Sequence, residues 1–347
     1  MSYLSSKIAI QFLISAIQAL LFVWVGNLIL GIQGMYFSHV MLFFTASCFA
    51  NLLGLTLSAS FRSAVTIYIL IPLLLIPQIL LAGVIVKFEN LNPLVKASKN
   101  VPWIANLMPS RWIFEAMAVE QFISNAYEKP QFSWNSEIEY ASFIDGYWSD
   151  ETIDAWEHGR EGTSKELLAS DINQKLISCS LLADVHAGMS HAQVISRMQS
   201  IRNHYNRRAK QISQRKDAWI AKNTASPEKK KLFLSFKNKH ENKALGSFVK
   251  NELEENQVVL QNGAFVPNTR MVYFPYKGSN PFQAGLFVPS KVVGGFTIGT
   301  FCFNLAAVWG MTILLFGMLY YRIFPSVFNV EGKRRKQLSF RGMQKKR

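Results

Sequence analysis

The sequence predicts a mainly α-helical, multipass membrane protein with about four transmembrane helices, a re-entrant helix and a large, mostly helical extracytoplasmic insert. Two observations predict this fold class. Residues 8–61, 63–86 and 292–321 contain no Asp, Glu, Lys or Arg, and such runs are long enough to cross a hydrocarbon core of about 30 Å. Residues 123–290, by contrast, hold 18 of the 22 acidic and 21 of the 37 basic side chains. A soluble block therefore lies between apolar blocks.

The contrast in charge divides the chain into five predicted parts. We expect transmembrane helices at about Ile8–Leu30, Tyr36–Ala59, Ser63–Val86 and Val292–Tyr321, because each of these stretches is uncharged and longer than 20 residues. The parts are three transmembrane helices in residues 1–86, a linker and re-entrant amphipathic helix in 87–122, the insert in 123–290, the last transmembrane helix in 291–322 and a basic cytoplasmic tail in 323–347.

Small side chains recur at four-residue spacing on two of the predicted spans. Such stripes allow another helix backbone to approach closely, so we interpret them as helix-packing positions. The alternative is chance in a span rich in Ala and Ser. The stripe residues are Ala46, Ala50, Gly54 and Ser58 on the second span, and Gly295 and Gly299, followed by Ala306 and Gly310, on the last.

Basic residues beside the spans predict the orientation. Lys7, Arg62 and residues 322–347, which hold nine basic residues and one acidic residue, fall on one side of the membrane if the spans alternate. The positive-inside rule places that side in the cytoplasm. The insert then lies outside an inner, cytoplasmic membrane, in a periplasmic or extracellular space. The tail can also contact anionic lipid, and nothing in the sequence requires a nucleic-acid partner.

The stretch between residues 62 and 122 carries the signal typical of transport. Pro72 and Pro77 interrupt the third span beside the polar Gln78, and broken spans of this kind often line a path through the membrane. The alternative is a kinked structural helix whose Gln78 bonds a neighbour. On the helix that follows, Arg111 and Glu115 are four residues apart and can pair, unless both simply face solvent.

Within the insert, residues 164–222 predict a helical hairpin with a basic second helix. Leu168, Ile172 and Leu176 share one helical face, and Ser190 with Gln193 matches a capping box. The basic face is either simply solvated or contacts anionic headgroups, a cell-wall polymer or an acidic partner. We expect a mobile, Lys-rich loop in 223–250 and short strands in 257–290, at Val258–Leu260 and Met271–Phe274.

Motifs for catalysis are missing from the sequence. There is no GxxxxGK[ST] phosphate loop, no Cys-x-x-Cys pair and no G-x-S-x-G elbow, and the six histidines lack zinc spacing. We therefore predict no catalytic residue and no metal ligand. Cys48, Cys179 and Cys302 do not make a disulfide framework.

The order of these elements resembles a known group of membrane proteins. The third span ends Leu81-Ala82-Gly83-Val84-Ile85-Val86, and a short helix reads Pro109-Ser110-Arg111-Trp112-Ile113-Phe114-Glu115-Ala116 before closing on Glu120-Gln121-Phe122. A soluble insert and a last span follow. Over residues 1–122 and 285–325 this resembles the permease part of type-2 ABC exporters, including the G-subfamily, and the large insert is similar to that of long-insert permeases from Gram-negative bacteria.

The resemblance implies roles for particular residues. The third span would line a central substrate cavity against the partner's second span, with Leu75, Ile76 and Ile79 facing the cavity beside Gln78. Val84 and Ile85 would match an apolar plug between cavity and exit. Residues 110–122 would form the re-entrant helix at the outer leaflet.

The resemblance also implies partners. The chain would be the permease portion of an ATP-driven exporter that moves a hydrophobic or amphipathic substrate by alternating access. It would need an ABC ATPase domain, fused upstream or on a separate chain, that binds ATP and Mg, and a second permease half, as a homodimer among membrane lipids. A complete half of that family has six spans, so we expect a C-terminal portion of a fused transporter or one product of a split gene.

Two other functions remain open. One is a membrane-anchored interaction protein that acts through the 123–290 insert. The other is a non-functional fragment of a truncated transporter.

Overall fold

The computed structural model describes residues 2–61, 63–85, 101–261, 263–276, 278, 280–321 and 323. The described part of the chain is mainly helical. Its α-helices are α1 (Ser2–Leu30), α2 (Tyr36–Ser60), α3 (Ala64–Leu80), α4 (Pro109–Ile123), α5 (Phe132–Phe143), α6 (Ser149–His158), α7 (Lys165–Ser178), α8 (His191–Asn223), α9 (Pro227–His240), α10 (Lys243–Lys250) and α11 (Thr300–Tyr320).

Two antiparallel hairpins complete the regular structure of these residues. Strand β1 (Val258–Gln261) pairs with β2 (Ala264–Pro267), and β3 (Ser290–Val293) pairs with β4 (Phe296–Gly299). The first hairpin includes the Val258–Leu260 run that the sequence predicts as a strand. Met271–Tyr273, predicted as a second strand, forms a short 3₁₀ helix instead.

The chain forms two compact units. The membrane unit contains α1, α2, α3, α11 and α4 as far as Met117, whereas the insert unit contains Ala118–Gly299. Three helices of the membrane unit are long and apolar enough to cross a membrane, over Leu4–Leu30, Tyr36–Ser60 and Thr300–Tyr320. The sequence predicts four spanning helices, and three helices that could span a membrane are found among the described residues.

The third predicted span is shorter than expected. Instead of 24 residues from Ser63 to Val86, helix α3 has 17 residues and a length of about 25 Å. Leu81 is its C-cap, and Gly83, two residues further on, has a positive φ of 80°, a conformation that glycine adopts readily. Val86 lies outside the described residues.

The last span begins later than the sequence predicts. Val292–Gly299 lies in the β3–β4 hairpin, not in a helix, so the helix-packing interpretation of Gly295 and Gly299 is wrong. Gly294 and Gly295 have positive φ values of 56° and 87° and form the two-residue loop between Val293 and Phe296. A Gly-Gly pair between runs of β-branched and aromatic residues is a hairpin signal, which the long apolar run obscured.

Helices α1, α2 and α11 pack through faces that contain several polar residues. The buried face of α2 consists of His39, Leu42, Thr45, Cys48, Leu52 and Thr56. Asn27 of α1 bonds His39 at 3.1 Å, Asn51 bonds Ser15 at 2.6 Å, and the Trp309 indole N–H donates to Thr45 Oγ1 at 3.1 Å. Large apolar side chains point outward instead, which is the pattern of helices surrounded by lipid.

The small-residue stripe of α2 is not used inside this bundle. Ala46 is half-buried, and Ala50, Gly54 and Ser58 are exposed. A Cβ added at Gly54 would meet no atom within 4 Å, and the same holds for Gly310 of α11. Packing of these positions against another chain stays a prediction.

The insert unit has a hydrophobic core of its own. The predicted helical hairpin is present as α7 and α8, and Leu168, Ile172 and Leu176 are buried on its inner face. The Ser190–Gln193 capping box is confirmed, with the Ser190 N–H donating to Gln193 Oε1 at 3.0 Å. The other large core residues are Ile144, Trp148, Trp156, Val194, Met198, Ile201 and Phe265.

The prediction of a mobile loop in 223–250 is wrong. This segment contains helices α9 and α10. Ser226 caps α9 through its side chain, and Pro227 occupies the first turn, where its missing N–H costs nothing. Phe233 of α9 then contacts the rings of Trp219 and Tyr127, so a Lys-rich helix is fixed by one aromatic side chain.

Candidate functional site

The predicted substrate-path residues all lie on α3, which is the least buried helix of the membrane unit. None of its residues is buried. Leu75, Ile76 and Ile79 are exposed apolar side chains, and Gln78 is half-buried. Leu75 and Ile79 are four residues apart and share a helical face with Ile76 beside it. Among the described residues no side chain buries this face, so its role as a cavity wall stays a prediction.

The predicted exit plug lies in the turn that follows α3. Ala82 and Gly83 are buried in this turn, whereas Val84 and Ile85 are exposed. Gly83 has a positive φ at this point, a backbone conformation that glycine adopts readily. The structure therefore presents two apolar side chains at the end of the apolar face of α3.

Helix α4 is joined to the end of α3 by a hydrogen bond. The Ser110 hydroxyl donates to the backbone carbonyl of Gln78 at 2.5 Å. This carbonyl belongs to the last turn of α3, where helix carbonyls lack intrahelical partners. Ser110 thus fixes the first turn of α4 against the segment that carries both the predicted path and the predicted plug. Whether α4 is re-entrant in the membrane stays a prediction.

The Arg111–Glu115 pair is fully buried. Both side chains are 0% exposed, and Arg111 Nη2 lies 3.6 Å from Glu115 Oε2. The alternative of a solvent-facing pair is thus wrong. A charge taken out of water costs several kcal/mol unless charge and hydrogen-bond partners compensate it, so the surroundings of this pair determine whether α4 can fold where it does.

Those surroundings supply part of the compensation, although Arg111 Nε and Nη2 have no hydrogen-bond partner among the described residues. Asn106 Oδ1 accepts from Arg111 Nη1 at 3.0 Å, and the guanidinium carbon lies 3.9 Å from the centre of the Trp112 ring. The Trp112 indole N–H in turn donates to the Asn106 carbonyl at 2.9 Å. The guanidinium is therefore held by a carboxylate, an amide oxygen and an aromatic face at once.

Asn304 connects this network to the last span. Its Nδ2 donates to Glu115 Oε2 at 2.8 Å and to the Trp112 carbonyl at 3.0 Å, and the neighbouring Phe303 ring lies 5.8 Å from that of Trp112. Asn304 and Asn106 were not predicted as site residues. For Asn304 the sequence does contain a signal, since an amide inside an otherwise apolar span usually faces a polar partner.

The arrangement links three helices of the membrane unit through polar contacts. A buried ion pair, its amide partners and a stacked indole fix α4 to α11, and Ser110 fixes the same helix to α3. No group of three or more His, Cys, Asp or Glu that could hold a metal ion occurs within the described residues. The site is therefore a junction of three helices beside an uncovered apolar face.

Comparison with known proteins identifies a family for the first third of the chain. Residues 1–122 match the ABC-2 type transporter family, and this match covers α1, α2, α3 and nearly all of α4. No curated protein and no solved structure matches the chain. The Arg111–Glu115 junction falls within the matched range. Over residues 1–122 this chain is therefore similar to the membrane domain of ABC-2 type transporters.

Proposed function

We propose that this chain is the permease portion of an ATP-driven exporter that moves a hydrophobic or amphipathic substrate across the cytoplasmic membrane. One observation carries the proposal. Within an ABC-2 type domain, an apolar helix with no buried residue, α3, is tied at its end to a helix anchored by a buried ion pair. A transport path needs an exposed apolar surface, here on α3, and a helix that holds it in position, here α4.

The proposed mechanism is alternating access. ATP binding closes a pair of ATPase domains supplied by a partner, the permease halves tilt, and the cavity beside Leu75, Ile76, Gln78 and Ile79 opens outward past the plug residues. The Asn304–Glu115 and Ser110–Gln78 bonds make α11, α4 and the end of α3 move together. Transport is then a conformational step with no covalent chemistry in this chain.

A second permease half is part of the proposal. Ala50, Gly54 and Ser58 form an uncovered small-residue stripe on α2, and such stripes pack helices closely in membranes. The apolar face of α3 also has no cover in one chain. We propose a homodimer, with both faces directed at the partner half or at the cavity between the halves.

The experiment is purification of the full chain from its native membranes in a mild detergent. We expect a polypeptide with a GxxxxGK[ST] motif to co-purify and the complex to hydrolyse ATP. A stable chain that purifies without any ATP-hydrolysing partner would contradict the proposal.

The proposed orientation has a separate test. Cys179 is buried, so it reports poorly on the accessibility of the insert. Leu253 is 90% exposed, and Leu253→Cys in a Cys302→Ser background should react with an impermeant maleimide only from outside the cell. Labelling from the cytoplasmic side alone would reverse the proposed topology.

A second candidate function is a membrane-anchored interaction protein acting through residues 123–290. The observation that favours it is the independent core of the insert unit, centred on Trp148 and Trp156. A chain that lacks an ATPase partner but retains a stable, folded insert would support this function over transport.

A further inference from the structure

The insert unit contains an open groove with an excess of positive charge. It has a volume of about 720 Å³ and lies along α8 beside α5 and the segment after α7. Its basic side chains, Arg207, Arg208 and Arg215, belong to the second half of α8. This groove is separate from the proposed transport path, because all of its residues belong to the insert unit.

The arginines of α8 differ in how their charge is balanced. In its first half, Arg197 forms an ion pair with Asp184, and Arg202 pairs with Asp150. In the groove, Arg208 Nε donates to Glu137 Oε2 at 2.6 Å. For Arg207 and Arg215, by contrast, the described residues supply no carboxylate ion pair. Ion pairs within the fold therefore balance the charges of three of these five arginines, and the other two line the groove without such a pair.

The spacing of these two residues defines the shape of a ligand. Arg207, Gln211 and Arg215 follow one another at four-residue intervals, so they share one face of α8. Eight residues of helix separate the two guanidinium-bearing positions by about 12 Å. Gln211, which also lines the groove, adds an amide between them. The groove can therefore hold an extended anion with more than one acceptor oxygen.

The lining of the groove also contains apolar side chains. Trp134 of α5, Leu181 after α7 and Ile212 of α8 line it, and Leu182 and Ile177, close to Leu181 in sequence, are exposed. A ligand that is anionic throughout would leave these apolar side chains uncovered. A ligand with a charged head and an apolar body covers both surfaces.

We infer that this groove binds an amphipathic organic phosphate. Arginine presents a planar set of donors that suits phosphate oxygens. Phosphate also offers more acceptor oxygens than a carboxylate, which matches a groove that combines Arg207 and Arg215 with the amide of Gln211. The apolar side chains of the lining contact the hydrocarbon part of the molecule.

The test measures binding to the full chain held in nanodiscs of phosphatidylcholine. The probes are dihexanoyl phosphatidic acid, inorganic tripolyphosphate and a short poly-glutamate peptide. The variant Arg207→Gln/Arg215→Gln removes the two unbalanced charges. The matched control Lys210→Gln/Lys222→Gln removes two charges from exposed positions of the same helix outside the groove.

We expect phosphatidic acid to bind and to weaken by roughly tenfold or more in the arginine variant but not in the lysine control. Tighter binding of phosphatidic acid than of tripolyphosphate identifies an amphipathic ligand. Preference for tripolyphosphate would overturn the amphipathic assignment, and preference for poly-glutamate would overturn the phosphate assignment. Equal loss in both variants, or no binding of any probe, would overturn the site itself.

Discussion

The side-chain amide of Asn304 donates a 2.8 Å hydrogen bond to the Glu115 carboxylate, across 189 positions of sequence. This bond joins the last span, α11, to the helix that carries the buried Arg111–Glu115 pair. The stability of the membrane unit therefore depends on a network in which α4 supplies both charges and α11 supplies the amide of Asn304. The first prediction follows from this dependence.

We expect Glu115→Ala to lower the free energy of unfolding of the membrane unit by about 3–5 kcal/mol, because it leaves the Arg111 charge buried without its counter-ion. The double variant Arg111→Met/Glu115→Leu should recover most of this loss, since apolar side chains of similar size remove both buried charges and Asn304 keeps its bond to the Trp112 carbonyl. Thermal unfolding of the full chain in detergent measures both effects.

Glu120→Ala is the matched control for this experiment. It removes the same side chain from a half-buried position of the same helix, and we expect a smaller effect. A double variant that is no more stable than Glu115→Ala would show that the two charges are not energetically coupled.

The second prediction concerns the start of the last span. Gly295 has a φ of +87° in the β3–β4 loop, so Gly295→Val should destabilise the chain by about 1–3 kcal/mol through backbone strain. Gly299→Ala should change stability little, because an added Cβ there meets no atom within 4 Å. The shift in melting temperature of the two variants is the measurement.

A continuous helix through residues 292–299 would give the opposite pattern. Valine is tolerated in apolar helices, and a packed Gly299 would then be the sensitive position. Equal tolerance of both substitutions would contradict the hairpin.

The positions where sequence analysis succeeded and failed have physical explanations. The inner face of α7 was predictable because Leu168, Ile172 and Leu176 repeat at helical spacing. The hairpin before α11 was missed because residues 292–299 and the helix that follows are all uncharged, and hydropathy does not distinguish strand from helix over eight residues. Helix α9 was missed because its many lysines are typical of a solvated loop, whereas the ring contacts of Phe233 are formed only in the folded structure.

The functional junction was predictable only in part. The four-residue spacing of Arg111 and Glu115 predicts that they can pair, but spacing does not predict that both are buried. Their contact with Asn304 joins distant segments, and no local pattern encodes such a contact. The uncovered apolar face of α3 is likewise a property of the packed bundle, not of its own sequence.

The third prediction is a pH dependence in the insert unit. Burial raises the pKa of the Glu128 carboxyl above its ordinary value, and this effect exceeds the lowering by the Asn135 hydrogen bond and by Lys216. Between the unfolded pKa of about 4.3 and the raised folded pKa, the folded protein holds a proton that the unfolded chain has lost. Stability therefore falls as the pH rises through that window.

Glu128→Gln should remove the loss of stability that comes from the ionisation of the buried Glu128 carboxyl. We expect the insert to become more stable at about pH 7 and to differ little from the wild type at about pH 4, where the carboxyl is protonated in both states. The measurement is the urea midpoint for hydrogen exchange of α7 and α8 peptides in the full chain. Glu161→Gln, at an exposed position, is the control, and an equal gain in both variants would contradict a specific role of Glu128.

We propose above that α3 and the turn after it form a transport path in an ATP-driven permease. The basal ATP hydrolysis of the complex between this chain and its ATPase, reconstituted in nanodiscs, tests this proposal directly. Val84→Ala/Ile85→Ala truncates the proposed plug. Leu28→Ala/Ile29→Ala removes similar exposed apolar volume from α1, outside the path.

We expect the plug variant to change basal hydrolysis by about twofold or more, because a smaller plug shifts the balance between closed and open states. The α1 control should match the wild type. Hydrolysis that is the same in the wild type, the plug variant and the control would contradict the account.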